Sequence, residues 1–236
     1  MILEIYNSLH KSYGPQGWWP VTPIGQTKPV YHSSNSTRHL TSREQTEIMI
    51  GAILTQNTAW TNVEKALANL HDADLIDFAK LAKARQSTLA RNIRSAGYYN
   101  QKSIRLKEFA KYMSKNYGPS FQAIQNKDPQ SLRQELLSLK GVGPETADSM
   151  MLYAFKKPTF VVDAYTRRIF GRLGIADKSA SYEDVQQLVH KQVPPGKDGS
   201  RIFYNEFHAL LVELAKRHCK TKPICNGCPL KRECLS

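Results

Sequence analysis

Two sets of residues in this 236-residue chain have the types and spacing that chemistry needs. The run Leu139-Lys140-Gly141-Val142-Gly143-Pro144-Glu145-Thr146-Ala147-Asp148 holds a Gly-x-Gly turn between two helical patterns. Such a turn leaves backbone N–H groups bare at a helix start, where they can hold a phosphate oxygen without reading any base. Further along, Val161-Val162-Asp163 brings a carboxylate to the start of another helix. There it can cap the helix or act on whatever the hairpin holds, and a helix start favours its charged form. The second set is Cys219, Cys225, Cys228 and Cys234, a C-x5-C-x2-C-x5-C spacing that closes a compact loop around one centre. Four thiolates suit a 4Fe-4S cluster or a structural zinc ion. Zinc ribbons usually bring two C-x2-C pairs, whereas a single close pair flanked by two wider gaps favours iron and sulfur, with zinc the alternative. Lys220, Lys222, Lys231 and Arg232 make the same loop basic.

The elements that must position these residues read as helices. Apolar residues recur at helical spacing in Ile48, Ile53 and Leu54, in Leu106, Phe109, Tyr112 and Met113, and in Phe203, Phe207, Leu210, Leu211 and Leu214. No alternating strand pattern stands out. Ala96-Gly97 and Tyr117-Gly118-Pro119 read as helix stops, and Asp128-Pro129 as a start with a cap and a first-turn proline. About ten helices result, which makes the fold class all-α. The polar stretch from Thr27 to Ser42 is long for a connection and is expected to link two domains, while 193–199 reads as a loop without chemistry.

Composition narrows the partner. Lys plus Arg number 33 against 20 Asp plus Glu, a formal net charge of +13. A polyanion is the simplest explanation, and nucleic acid fits best, since basic residues cluster at Arg85, Arg91, Arg94, Lys102, Arg105 and Lys107 and again at Arg167, Arg168 and Arg172. No apolar stretch is long enough to cross a bilayer, and Met1-Ile2-Leu3-Glu4 lacks a basic leader, so a cytoplasmic protein with no membrane partner is expected. In a reducing compartment four crowded cysteines read as metal ligands rather than disulfides.

The Gly-Val-Gly hairpin, the following Asp163 and the four-cysteine loop together resemble endonuclease III and the wider helix-hairpin-helix DNA glycosylases, from about Glu44 to the C-terminus. Two departures stand out. Endonuclease III continues its hairpin as Gly-x-Lys-Thr-Ala, whose lysine attacks the sugar and permits strand cleavage. Here Gly143-Pro144-Glu145-Thr146-Ala147 puts Glu145 in that place, and a carboxylate cannot form the Schiff base. The first gap between cysteines is also one residue shorter. The branch of that superfamily that removes 3-methyladenine is similar in three more places: Trp18-Trp19-Pro20, Leu54-Thr55-Gln56-Asn57-Thr58, and the Gly-x-Glu-Thr-Ala-Asp hairpin.

What the resemblance implies is specific. The fold would be a two-domain helix-hairpin-helix glycosylase fold, with a six-helix barrel domain over 44–155 and a second helical domain formed by both termini, 1–43 and 156–236, carrying the cluster loop 219–234. The activity would be base excision by flipping a damaged base out of double-stranded DNA and hydrolysing its N-glycosidic bond, monofunctionally. Asp163 would be catalytic. Trp18, Trp19, Pro20, Trp60 and Glu145 would form the base pocket, with Trp60 matching the aromatic residue that stacks on the excised base. Gln56, filling the emptied stack beside Asn57, and Gly141, Val142 and Gly143 would bind DNA. An N3-methylated adenine is a flat cation, and an indole face attracts it by about 0.5–2 kcal/mol. Two alternatives remain open. One is an endonuclease III-like glycosylase and lyase for oxidised pyrimidines, using Lys140 or Lys102; the other is a non-catalytic DNA-structure binder. A monomer, nucleoid-associated when bound to DNA, is expected.

Overall fold

The computed structural model describes residues 1–32, 37–197 and 199–235. Residues 33–36 of the polar connection and Asp198 of the 193–199 loop lie outside the described residues. Among the described residues the regular structure is helical, with twelve α-helices and a lone antiparallel bridge between Val21 and Val30. Two compact units result: 19–31 with 38–157, and 1–18 with 32–37 and 158–236. Among the described residues no helix is long and apolar enough to cross a membrane.

In the unit containing 38–157 the helices are α2 (Ser42–Leu54), α3 (Trp60–Asp72), α4 (Phe78–Lys83), α5 (Gln86–Asn92), α6 (Tyr99–Tyr117), α7 (Gln122–Gln125), α8 (Pro129–Ser138) and α9 (Pro144–Ser149). A 3-10 turn, Arg94–Ala96, precedes α6, and a π-helical turn, Met150–Ala154, continues α9. The start of α2 follows from a capping box: Thr41 accepts from the N–H of Glu44, and the Glu44 carboxylate accepts from the N–H of Thr41. Asp128 and Pro129 open α8 as their types dictate. Gly97 and Gly118, both at positive φ, close the 3-10 turn and α6. Two more helices form than the periodicity suggests, because α4 and α7 are too short for a 3.6-residue period to declare itself. Most of α2 is buried, the polar Gln45, Thr46 and Glu47 of its first half as well as the apolar residues from Ile48 to Leu54.

The other unit holds α1 (Ile2–Tyr13), α10 (Ala164–Arg172), α11 (Tyr182–Gln192) and α12 (Ser200–Arg217). Both chain ends belong to it. Ile2 N–H donates to Gln192 Oε1 at 3.0 Å, and α1 packs on α12 through Tyr6 against Phe203 at 4.7 Å between ring centroids. Phe160, Phe170, Phe207, Leu210, Leu211 and Leu214 are buried in its core. Asp163 caps α10, and Ser181 with Asp184 forms a capping box on α11.

Candidate active site

The hairpin joins α8 to α9. Gly141 has φ +89°, which favours glycine, and a Cβ there would stand 2.6 Å from Cδ of Arg105, whose side chain would have to shift. The Val142 side chain is buried, and its N–H closes the turn on Leu139 O at 3.0 Å. Gly143 precedes Pro144 at the first position of α9, and Glu145 follows, exposed, in the first turn. An acidic residue is at home there beside the positive end of the helix dipole.

Beside the hairpin lies the turn that ends α2. Asn57 sits in the left-handed region at φ 51° and is exposed. Gln56 is tied down: its Nε2 donates to Gly141 O at 2.9 Å and Thr146 Oγ1 at 3.0 Å, and its Oε1 accepts from Arg105 Nη1 at 3.3 Å. Lys102 of α6 locks the same region from within. Its ammonium donates to Leu54 O at 2.8 Å, Thr58 Oγ1 at 2.6 Å and Ala96 O at 2.8 Å. All three hydrogens are thereby used. Burial, and then the neighbouring Arg105 charge, pull its pKa down to about 8. Lys140, by contrast, is exposed.

The same unit carries an aromatic cluster. Trp19 is buried, with its ring against Gly51, where a Cβ would stand 2.9 Å from the indole. Trp60, half-buried at the start of α3, meets Trp19 edge-on at 5.3 Å between centroids and 88° between planes, and the Tyr153 ring lies 5.3 Å from Trp19. Trp60 Nε1 donates to Glu64 Oε1, one turn along α3, at 2.8 Å. Pro20 is buried next to Trp19 in the chain. Trp18 falls in the other unit, with Lys216 Nζ 5.9 Å from its ring centroid. Gly17 before it, at φ +65°, lets the backbone of His32 approach to 2.8 Å of where a Cβ would be.

Asp163 caps α10 through Oδ1, which accepts from Thr166 N–H at 2.7 Å, while Oδ2 lies 3.6 Å from Nε2 of His208 on α12. Burial pushes this carboxyl up, but His208 and the Thr166 bonds outweigh it, and its pKa is held below the usual carboxylate range. It is charged at neutral pH. His208 is absent from the sequence reading because it sits in an apolar helical stretch, where a histidine carries no signal of its partner. Tyr153 and Glu64 escape it likewise, the one inside an apolar run and the other reading as a solvated face.

The four cysteines are half-buried. Arg172 Nη1 donates to Cys219 Sγ at 3.1 Å and to Lys220 O at 2.7 Å, Nη2 donates to Thr221 O at 2.9 Å, and Arg168 Nε donates to Cys219 O at 2.8 Å. Arg167 donates to Ala180 O. The basic cluster of α10 is therefore engaged in holding this loop and its own unit rather than standing free. Burial first, then the nearness of Cys219, Cys225 and Cys234, push the Cys228 thiol up. Among the described residues, no three His, Cys, Asp or Glu side chains close around a single ion.

A profile of the HhH-GPD superfamily of base excision DNA repair proteins matches residues 50–195, from within α2 to just beyond α11. A candidate DNA repair glycosylase of Methanocaldococcus jannaschii is 42% identical over 237 residues, spanning 100% of this chain and 96% of its own. Endonuclease III of Thermotoga maritima is 32% identical over 188 residues, 79% of this chain and 81% of that one. Among solved structures, the H. pylori 3-methyladenine DNA glycosylase bound to 1,N6-ethenoadenine superposes with TM-score 0.68 at 26% identity, covering 92% of this chain and 97% of that chain. A trapped endonuclease III–DNA covalent intermediate shares the fold with TM-score 0.73 at 21% identity, covering 99% and 95%. Sustained identity along the whole chain, on a helical fold built around this hairpin, means that the protein belongs to the HhH-GPD superfamily of base excision DNA repair glycosylases.

Proposed function

We propose that this protein is a monofunctional DNA glycosylase that releases alkylated purines such as 3-methyladenine from double-stranded DNA and leaves an abasic site. The observation that carries the reading is Trp60, half-buried and packed edge-on against the buried Trp19, an electron-rich indole suited to a flat cationic base. Likeness to the H. pylori 3-methyladenine glycosylase supports the same substrate class. In this reading Trp18, Pro20 and Glu145 complete the base pocket. Gly141, Val142 and Gly143 hold a phosphate through backbone amides, and Gln56 exchanges its bonds to the hairpin for the space the flipped nucleotide leaves, with Asn57 beside it.

Asp163 then acts on the sugar. Its ionised carboxylate stabilises the positive charge that grows at C1′ as the C1′–N bond breaks and the electron pair leaves with the base. A water adds to C1′, and Asp163 accepts its proton. A cationic alkylated base departs neutral, so no acid is needed to protonate it. Glu145 occupies the place of the strand-cleaving lysine, and the hydrogens of Lys102 are all bonded internally, which supports hydrolysis without a covalent step. Cys219, Cys225, Cys228 and Cys234 would hold a 4Fe-4S cluster, with structural zinc the alternative. The single close pair flanked by two wider gaps, in a loop held by Arg168 and Arg172, supports that reading. When bound, that group supplies a structural anchor for the basic loop.

The test is incubation of the pure protein with alkylated duplex DNA, analysing free bases and strands separately, beside Asp163→Asn. Release of 3-methyladenine without strand breaks, lost in the variant, is expected. Nicking of oxidised DNA with a borohydride-trapped adduct, and no alkylated base released, would favour the lyase reading, with the exposed Lys140 as nucleophile.

A further inference from the structure

The Trp60 indole N–H is bonded to a carboxylate. Glu64 Oε1 receives Nε1 at 2.8 Å, and Trp60 is half-buried at the first position of α3. Among the described residues no Lys, Arg or His forms an ion pair with Glu64 within 4.0 Å. Two physical consequences follow. The bond fixes the rotation of the indole about its side-chain torsions, and a ring already anchored on Trp19 at 88° is held in one orientation. The carboxylate also lies at the edge of the indole, so a base stacked on that ring lies within several ångströms of a full negative charge. A neutral base gains little from that field, and a cationic base gains from it and from the ring face together.

We propose that Glu64 is a specificity-determining residue, which orients Trp60 and biases the aromatic cluster toward bases that carry a formal positive charge over neutral lesions of the same size. The proposal rests on the assignment of Trp60 to the base pocket, and it divides alkylated bases into two classes: N3- and N7-alkylated purines, which are cations, and etheno or deaminated purines, which are neutral. Glu64 does not touch the reacting bond, so it shifts which bases are held rather than how the bond breaks.

Glu64→Gln separates the two effects. The amide oxygen can still accept the indole N–H, so orientation is kept while the charge goes. Glu64→Leu removes both. Two readouts are taken on the full-length protein. One is kcat/KM on duplexes carrying N7-methylguanine and on duplexes carrying 1,N6-ethenoadenine. The other is quenching of tryptophan fluorescence by 7-methylguanosine, a cation, and by guanosine. In Glu64→Gln the preference for the cationic partner should fall about fivefold in both readouts, the size expected for one partly solvated charge nearby, with the neutral partner unchanged. Glu64→Leu should weaken both partners. An unchanged preference in Glu64→Gln overturns the proposal, as does a wild-type protein that 7-methylguanosine does not quench. A wild-type protein that is quenched by the cation but releases no alkylated base sinks the proposed reaction and leaves this assignment standing.

Discussion

Asp163 uses its two oxygens for different tasks. Oδ1 is committed to Thr166 N–H, as any N-cap would be, and Oδ2 faces His208. A capping aspartate needs no histidine, and the second contact bears on its charge. Burial works against ionisation, and the His208 and Thr166 contacts reverse that. Removing His208 leaves burial less opposed, so the Asp163 pKa rises and less carboxylate is present in mildly acidic solution. His208→Ala should move the acid limb of kcat/KM to higher pH, with the plateau lowered less, because a group acting through another changes when the carboxylate is charged more than what it does. A limb that stays in place, in a variant whose melting is unaltered, would mean that His208 only packs. Asp163 itself was legible in the sequence, since a carboxylate after a Gly-x-Gly hairpin stands out by type and spacing. His208 and Glu64 were not, because each matters through a partner that a linear pattern does not name.

At the scale of elements, the turn after α2 and the 3-10 turn before α6 are held together by one buried ammonium. Lys102 is 2% exposed and has three uncharged acceptors, which suits it to closing the carbonyl ends of two helical segments. With a pKa near 8 it is protonated at neutral pH and loses its proton as the pH passes that value. Lys102→Met fills the volume but leaves two carbonyls and a hydroxyl without their donor. It should cost about 2–4 kcal/mol of stability in urea unfolding. It should also loosen Gln56 and Asn57, raising the dissociation constant for duplex DNA. No change in stability would mean that solvent replaces the ammonium without penalty. The helix stops, the caps and the proline starts of this region are local chemistry and were readable. The role of Lys102 was not: as part of a basic run it reads as a phosphate contact or a nucleophile, and only folding turns it inward.

For the molecule as a whole, the charge of +13 remains after the internally bonded basic groups are recognised, because a guanidinium that donates to a carbonyl keeps its charge. Arg172 and Arg168 thus contribute to the field around the cysteine loop while fixing that loop in place. Affinity for undamaged duplex should fall steeply with salt, with log K against log concentration sloping by about −0.9 for each phosphate neutralised. Fluorescence anisotropy across a salt series measures it, and a flat line would contradict nucleic acid as the partner that the charge serves. Division of the chain into 19–31 with 38–157, and 1–18 with 32–37 and 158–236, brings both termini into one unit, something no local signal in the sequence announces.

The sequence by itself determined the helical class, several helix boundaries, the hairpin, the cysteine loop and the carboxylate after the hairpin. These depend on residue type and short-range spacing, and local chemistry is written along the chain. Tertiary structure alone decided which polar groups are spent internally and which remain free to act. It turned Lys102 inward, tied Gln56 to Gly141, set His208 against Asp163, aimed Trp60 Nε1 at Glu64 and wrapped Arg172 around Cys219. In each case the same side chain is solvated in an extended chain and loses water on folding. Its partner is then chosen by packing, which spacing along the sequence does not encode.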